Sequence, residues 1–176
     1  MAQIFSGGRM GRLKSCGGLI ALLLLGCAKG ETAPQENYLE AEDLNPFVKV
    51  LQENPNGVLA NRNGEKLRTQ IITFQFAEGK RAYFATNSTK LLYEQLKRHP
   101  NISYCTFAEE FEPVLSINGK VVFTEDAAIK LRVFNGSANV QRFYQTTDNP
   151  VYKVFYIDTE EIETFDSYGA KRYKLK

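Results

Sequence analysis

The chain has no Trp, a single His and only three Cys and six Pro among its 176 residues. One His, His99, cannot assemble a Ser-His-Asp arrangement or a His/Cys zinc cluster. Cys16 and Cys27 fall in the N-terminal segment, so Cys105 stands by itself in the remainder. No intrachain disulfide can form there, and Cys105, in an apolar strand pattern, reads as an inert core thiol. No apolar run is long enough to cross a membrane, which takes roughly 20 residues. Charge of one sign is lacking too. The formal net charge is +2, and Arg9, Arg12 and Lys14 supply the basic excess. The rest is near neutral, which excludes a nucleic-acid surface. There are no internal repeats.

What is there begins with a targeting pattern. The basic stretch Arg9 to Lys14 precedes "LIALLLL", residues 19–25, and then Gly26-Cys27. A short apolar run behind cations fits a secretory signal. The ending Leu24-Leu25-Gly26-Cys27 resembles a bacterial lipobox, in which the Cys becomes the lipidated N-terminus. Residues 1–26 are therefore expected to be a lipoprotein signal peptide. Met10 offers an alternative start. Residues 27–44 are small, polar and acidic and read as a flexible tether.

The folded domain is expected over 45–176. Asn45-Pro46 reads as an N-cap followed by Pro at the first helical position, with a short helix to about Glu53. Strand patterns follow. Val58 to Ala60 leads through the Asn63-Gly64 turn to "LRTQIITFQF", where Ile72, Phe74 and Phe76 share one face. "AEGK" turns into "RAYFAT", and a helix is expected from about Ser88 to Arg98. In "PVLSINGKVVF", Leu115, Ile117, Val121 and Phe123 alternate with the other positions. Gly119 interrupts that inner face, as a bulge or a close backbone approach would. A helical region is expected at about 125–133, a polar loop at 135–150, and a final strand from Val151 to Ile157, with 161–165 continuing it or forming a short extra one. Hairpins with few helices predict a mainly β fold, a closed antiparallel barrel.

The joint "ATNSTK", residues 85–90, carries the most chemistry. A helix start leaves N–H groups unpaired and attracts anions. Thr86, Ser88 and Thr89 add hydroxyls, and Lys90 adds a full charge. Two readings stand at this point: a phosphate cradle, or simple capping by Asn87 or Ser88 with Lys90 solvated. Arg68 and Gln70 favour the cradle. The hairpin pairing places both near the Asn87 end, where a guanidinium and an ammonium suit a phosphate dianion.

The order "NPNGVLANRNGEKLRTQ…AEGKRAYFATNSTKLLYEQLKRHPNISYC…EPVLSINGKVVF…VYKVFYIDTEEIETF" resembles the pyridoxamine 5′-phosphate oxidase-like family, the FMN-binding split barrels, in their small single-domain bacterial members. The resemblance covers about residues 45–176. It implies a six-stranded antiparallel Greek-key split barrel and a homodimer with two FMN sites along the subunit interface. It also implies roles. Arg68 would bind the FMN phosphate, and Thr69, Gln70 and Ile71 would flank the isoalloxazine in the segment up to Thr73. Ala85 and Thr86 match the pair after the next strand, with Asn87 and Ser88 following. Lys90 matches a phosphate-binding Lys. Its preceding partner, often Arg in the family, is Thr89 here.

Two departures bear on activity. Pyridoxamine phosphate oxidases carry a C-terminal segment with a Trp and an Arg, and this chain has no Trp. They also place a Gln where this chain has Val114. Vitamin B6 oxidation is therefore not expected. The expected activity is FMN-dependent transfer of electrons or hydride, from an unknown donor to a small acceptor, at the cell envelope on an extracytoplasmic lipid anchor. No catalytic residue is named. The alternatives are a non-catalytic flavin-binding or electron-carrier module, or a haem or deazaflavin binder, for which His99 would be the only imidazole. Mass spectrometry of the mature N-terminus is expected to show a diacylglyceryl Cys27. An intact Met1, or a soluble product starting elsewhere, would overturn the lipobox reading.

Overall fold

The computed structural model describes residues 38–40 and 43–175. The expected signal peptide 1–26, Cys27 and most of the expected tether lie outside the described residues. Part of that tether is not a tether. Tyr38–Glu40 forms β1, which runs parallel to the last strand. Leu44 packs on the core. The ordered domain thus begins ahead of Asn45.

Helix α1 (Asn45–Glu53) has Pro in its first turn and Leu44, rather than Asn45, at the cap position. Strands β2 (Asn56–Asn63), β3 (Lys66–Glu78) and β4 (Arg81–Asn87) follow as hairpins. Helix α2 (Leu91–Arg98) then carries the chain across to β5 (Asn101–Phe107), which pairs with β2. This arrangement, a fourth strand returning beside the first, is a Greek key. β6 (Val114–Thr124) pairs with β5 and with β7 (Tyr152–Asp166), and β7 pairs with β4. The six strands β2 to β7 therefore close an antiparallel barrel in which each strand pairs with two neighbours over at least part of its length. β7 continues past Ile157, and an eighth strand, β8 (Gly169–Lys174), folds back on it.

Between β6 and β7 the expected helical region is present, but helix resumes after Ser137 and continues to Tyr144 where a loop is expected from 135, and 145–151 is non-helical. α3 (Ala127–Gly136) is capped by Asp126, whose Oδ1 accepts from the N–H groups of Ala128 and Ile129. α4 (Ala138–Tyr144) follows directly, with Ser137 as its cap. Val140 and Tyr144, four residues apart, give α4 one buried face.

The apolar residues form two cores. The first includes Leu59, Phe74, Phe84, Tyr104, Leu115, Phe155 and Ile157, with Leu51 of α1 and Leu92 and Leu96 of α2 packed on it. The second joins Tyr83, Tyr152 and Val154 of β4 and β7 to Val133 of α3 and to Val140 and Tyr144 of α4. A bulge sorts residues between them. The β3–β4 register passes from Phe74↔Phe84 to Phe76↔Tyr83, so Gln75 is the extra residue. Phe76, expected beside Ile72 and Phe74, is moved to the second core, where it stacks on Tyr83 at 4.4 Å. Cys105 is half-buried rather than in either core. Its neighbours Tyr104 and Thr106 point inward. The Tyr104 hydroxyl donates to the Pro55 carbonyl at 2.9 Å and the Thr106 hydroxyl to the Asn54 carbonyl at 2.6 Å.

Gly119 sits at a register shift between β6 and β7. A Cβ there would run into the Asp158 carbonyl and lie 3.0 Å from the Thr159 Cα. Both are backbone atoms in a closed barrel and cannot step aside. Gly119→Ala is expected to cost about 2 kcal/mol or more, as overpacking does. Gly136→Ala, in open space at the end of α3, should be neutral or slightly stabilising. Urea denaturation followed by circular dichroism checks both, and equal midpoints would refute the close-approach account of Gly119.

Candidate functional site

β3 is 13 residues long, but its pairing with β4 starts only at Phe74. From Lys66 to Thr73 it pairs with β2 alone. The other edge of that stretch presents backbone N–H and C=O groups without a ladder partner from β4. Two cavities lie along it. The larger, about 420 Å³, is lined by Arg68, Thr69 and Gln70 of β3, by Lys90, and by Leu91, Leu92 and Gln95 of α2. The smaller, about 200 Å³, is lined by Ile71, Ile72, Thr73 and Gln75 of β3, Ala85 of β4, Lys90, and residues 137–144 at and within α4. Lys90 lines both, so the two cavities are neighbours along this edge and together make a groove divided at Lys90.

The larger cavity is cationic. Arg68 and Lys90 line it, no carboxylate does, and neither forms an ion pair among the described residues. Lys90 is also the cap position of α2 and makes no side-chain capping bond. Its carbonyl accepts from the Tyr93 N–H at 3.0 Å. Leu91 and Leu92 precede that first helical donor, and their N–H groups belong to the helix start that favours an anion. Thr69 and Gln70 add neutral donors.

The smaller cavity differs. Ile71, Val140 and Phe143 give it apolar side chains, while Thr73, Gln75, Ser137 and Asn139 make much of its wall polar. Tyr144 also lines it, and burial pushes its phenol above the ordinary range, so it stays neutral. A compartment holding two cations thus adjoins one of mixed lining, in which apolar and polar side chains alternate. That combination suits a ligand with an anionic end and an aromatic end.

The expected site residues divide accordingly. Arg68, Thr69, Gln70, Ile71, Ala85 and Lys90 come together on the groove. Thr86, Asn87 and Ser88 line neither cavity. Thr86 is buried. Asn87 folds back on its own turn, its Oδ1 accepting from Thr89 N and Thr89 Oγ1, both at 2.8 Å. Ser88 N donates to the Val151 carbonyl at 2.9 Å. The joint forms an Asx turn rather than the first turn of a helix, and α2 begins only at Leu91. Reading the sequence missed Gln95 and the α4 wall. For α4 a signal existed: Ser137 stands three residues before Val140, with Tyr144 four further on, which is a cap and a helical stripe. For Gln95 there was none, because one polar residue beside Leu96 looks like an ordinary helix surface position.

The fold is similar to several solved structures. A NimC/NimA family protein from Clostridium acetobutylicum shares 16% identity over 73% of this chain and 92% of its own, with a TM-score of 0.66. A pyridoxamine 5′-phosphate oxidase-related, FMN-binding protein from Nostoc punctiforme shares 11% identity over 76% and 90%, with a TM-score of 0.61. A heme-binding protein from Mycobacterium smegmatis shares 15% identity over 71% of this chain and 55% of its own, also at 0.61. No family model matches the chain, and no curated protein matches it in sequence. At these identities the likeness establishes a split-barrel fold.

Proposed function

We propose that this chain is an FMN-binding member of the pyridoxamine 5′-phosphate oxidase-like family and acts as a small flavin oxidoreductase. The observation that carries the reading is the groove itself. Arg68 and Lys90 stand at a donor-rich end beside an unpaired strand edge, and a compartment with the apolar side chains Ile71, Val140 and Phe143 among polar ones adjoins it. The residues fit the cofactor's parts. Arg68 can hold a phosphate through two parallel N–H bonds, and Lys90 adds a compact second charge. The open edge between Thr69 and Thr73 can meet a flat heterocycle with alternating donors and acceptors. Ile71, Ala85 and α4 would flank it and exclude water. Bound flavin would supply electron or hydride transfer, and the protein binding and orientation. Likeness to an FMN-binding protein supports this choice of ligand.

A haem ligand finds less support, despite the heme-binding neighbour. His99 closes the far end of α2 and lines neither cavity of the groove. A non-catalytic flavin carrier differs from an enzyme only in turnover with a reduced donor and a small acceptor.

The groove mouth also supports a homodimer. Ile71, Leu91 and Phe143 stand 80, 65 and 69% exposed around it. Large apolar side chains gathered at one mouth mark a surface meant to be covered. A second copy laid there would bury them and close the flavin site. The anchored, extracytoplasmic placement rests on Arg9 to Cys27 alone.

Two outcomes are expected of the full-length chain. Arg68→Ala and Lys90→Ala should each weaken FMN about tenfold to a hundredfold, as loss of a charge-assisted phosphate contact does. Riboflavin, which lacks the phosphate, should be affected far less. Flavin-fluorescence titration reads both, and equal loss for the two flavins would count against the phosphate assignment. Light scattering should give twice the monomer mass, while Ile71→Glu with Phe143→Glu should shift it toward monomer. A wild-type monomer that binds FMN stoichiometrically would refute the covered mouth.

A further inference from the structure

We propose that Gln95 is a neutral phosphate-binding residue of the larger cavity, held as a donor by the buried Asn61. The inference rests on the FMN reading of that cavity and adds a residue to it. Asn61 lies on β2 and is 2% exposed. Its Nδ2 donates to the Arg62 carbonyl at 3.1 Å and to Gln95 Oε1 at 2.9 Å. The carbonyl settles the orientation of both amides. A carbonyl oxygen only accepts, so the Asn61 atom beside it must be the NH2. That NH2 then requires an acceptor from Gln95, so Gln95 gives Oε1 to β2. Its Nε2 is left for the other side.

The other side is the cavity. Gln95 is 3% exposed, yet it lines the wall together with Arg68 and Lys90. Its Nε2 donates to no protein group among the described residues. An oriented, unused donor on a largely buried side chain beside two cations is suited to a phosphate oxygen. It adds a directional bond without adding a third charge.

Asn61 shows a cost consistent with this role. Its Oδ1 is buried and has no partner. Such orphans are rare in folded proteins and call for an explanation. An apolar residue of similar size would remove this orphan, but it would leave Gln95 Oε1 without its donor and its amide without a fixed orientation. Asn61 is accounted for if its task is to turn the Gln95 amide toward the cavity.

The test is a flavin titration on full-length variants, with thermal unfolding measured alongside. Gln95→Met keeps the size and removes the donor. It is expected to weaken FMN about threefold to thirtyfold, with riboflavin unchanged. Gln95→Glu should weaken FMN more, by setting a carboxylate against the phosphate. Asn61→Leu frees the Gln95 amide and removes the orphan acceptor. It should weaken FMN but not riboflavin, whatever stability is lost with the bond to Gln95 Oε1. A purely structural pair would behave otherwise, with both flavins affected equally, and that result overturns the proposal. An unchanged FMN-to-riboflavin ratio in Gln95→Met, with the ratio lost in Arg68→Ala and Lys90→Ala, overturns the role of Gln95 alone. An unchanged ratio in all of them removes the phosphate site and the FMN reading with it.

Discussion

The structure turns on where β3 and β4 stop being partners. The bulge at Gln75 and the end of the ladder at Phe74↔Phe84 let the two strands diverge while each stays in the barrel through its other neighbour, β2 or β7. A closed barrel normally leaves no backbone edge free. Here the divergence leaves eight residues of β3 paired on one side only, Lys66 to Thr73. Everything proposed about function depends on that opening. Arg68 and Ile71 reach solvent because of it, and α2 and α4 stand on its far side.

The same bulge explains why a second core exists. Moving Phe76 outward gives the outer face of β4 and β7 an aromatic surface of Phe76, Tyr83 and Tyr152. α3 and α4 cover that surface, and Arg132 of α3 lies 3.8 Å over the Phe76 ring. Burying these rings holds α4 in place. α4 in turn makes one wall of the groove. A local irregularity in one hairpin thus sets both the open edge and the helix facing it.

Polar groups inside the fold serve positioning. Tyr104 and Thr106 tie the Asn54–Asn56 backbone to β5, fixing where β2 begins. Gly57 lets that backbone pass close, since a Cβ there would meet the Cys105 carbonyl at 2.5 Å. β2 then sets the register of β3 through Asn61↔Arg68. The position of the cation that defines the site is therefore tied, strand by strand, to two buried hydroxyls.

Much of this was legible in the sequence. Alternation in 114–123, the Asn63-Gly64 turn and Pro46 located strands and a helix, because period 2 and fixed turn chemistry act locally. The order of segments carried the barrel, and Arg68 and Lys90, singled out from the sequence, both line the larger cavity. The failures share a cause. Phe76 was assigned to the wrong face because a bulge depends on the partner strand. The 135–150 segment was read as a loop because most of its stripe is buried only against β4 and β7. Thr86, Asn87 and Ser88 looked like ligand donors, but Val151 and the Asx turn claim that joint. Gln95 carried no signal, since its role is set by Asn61, thirty-four positions away. Sequence by itself determined the elements and the charges, which follow from nearest neighbours and side-chain type. Tertiary structure decided which donors stay unpaired, because satisfaction of a hydrogen bond is settled by groups distant in the chain.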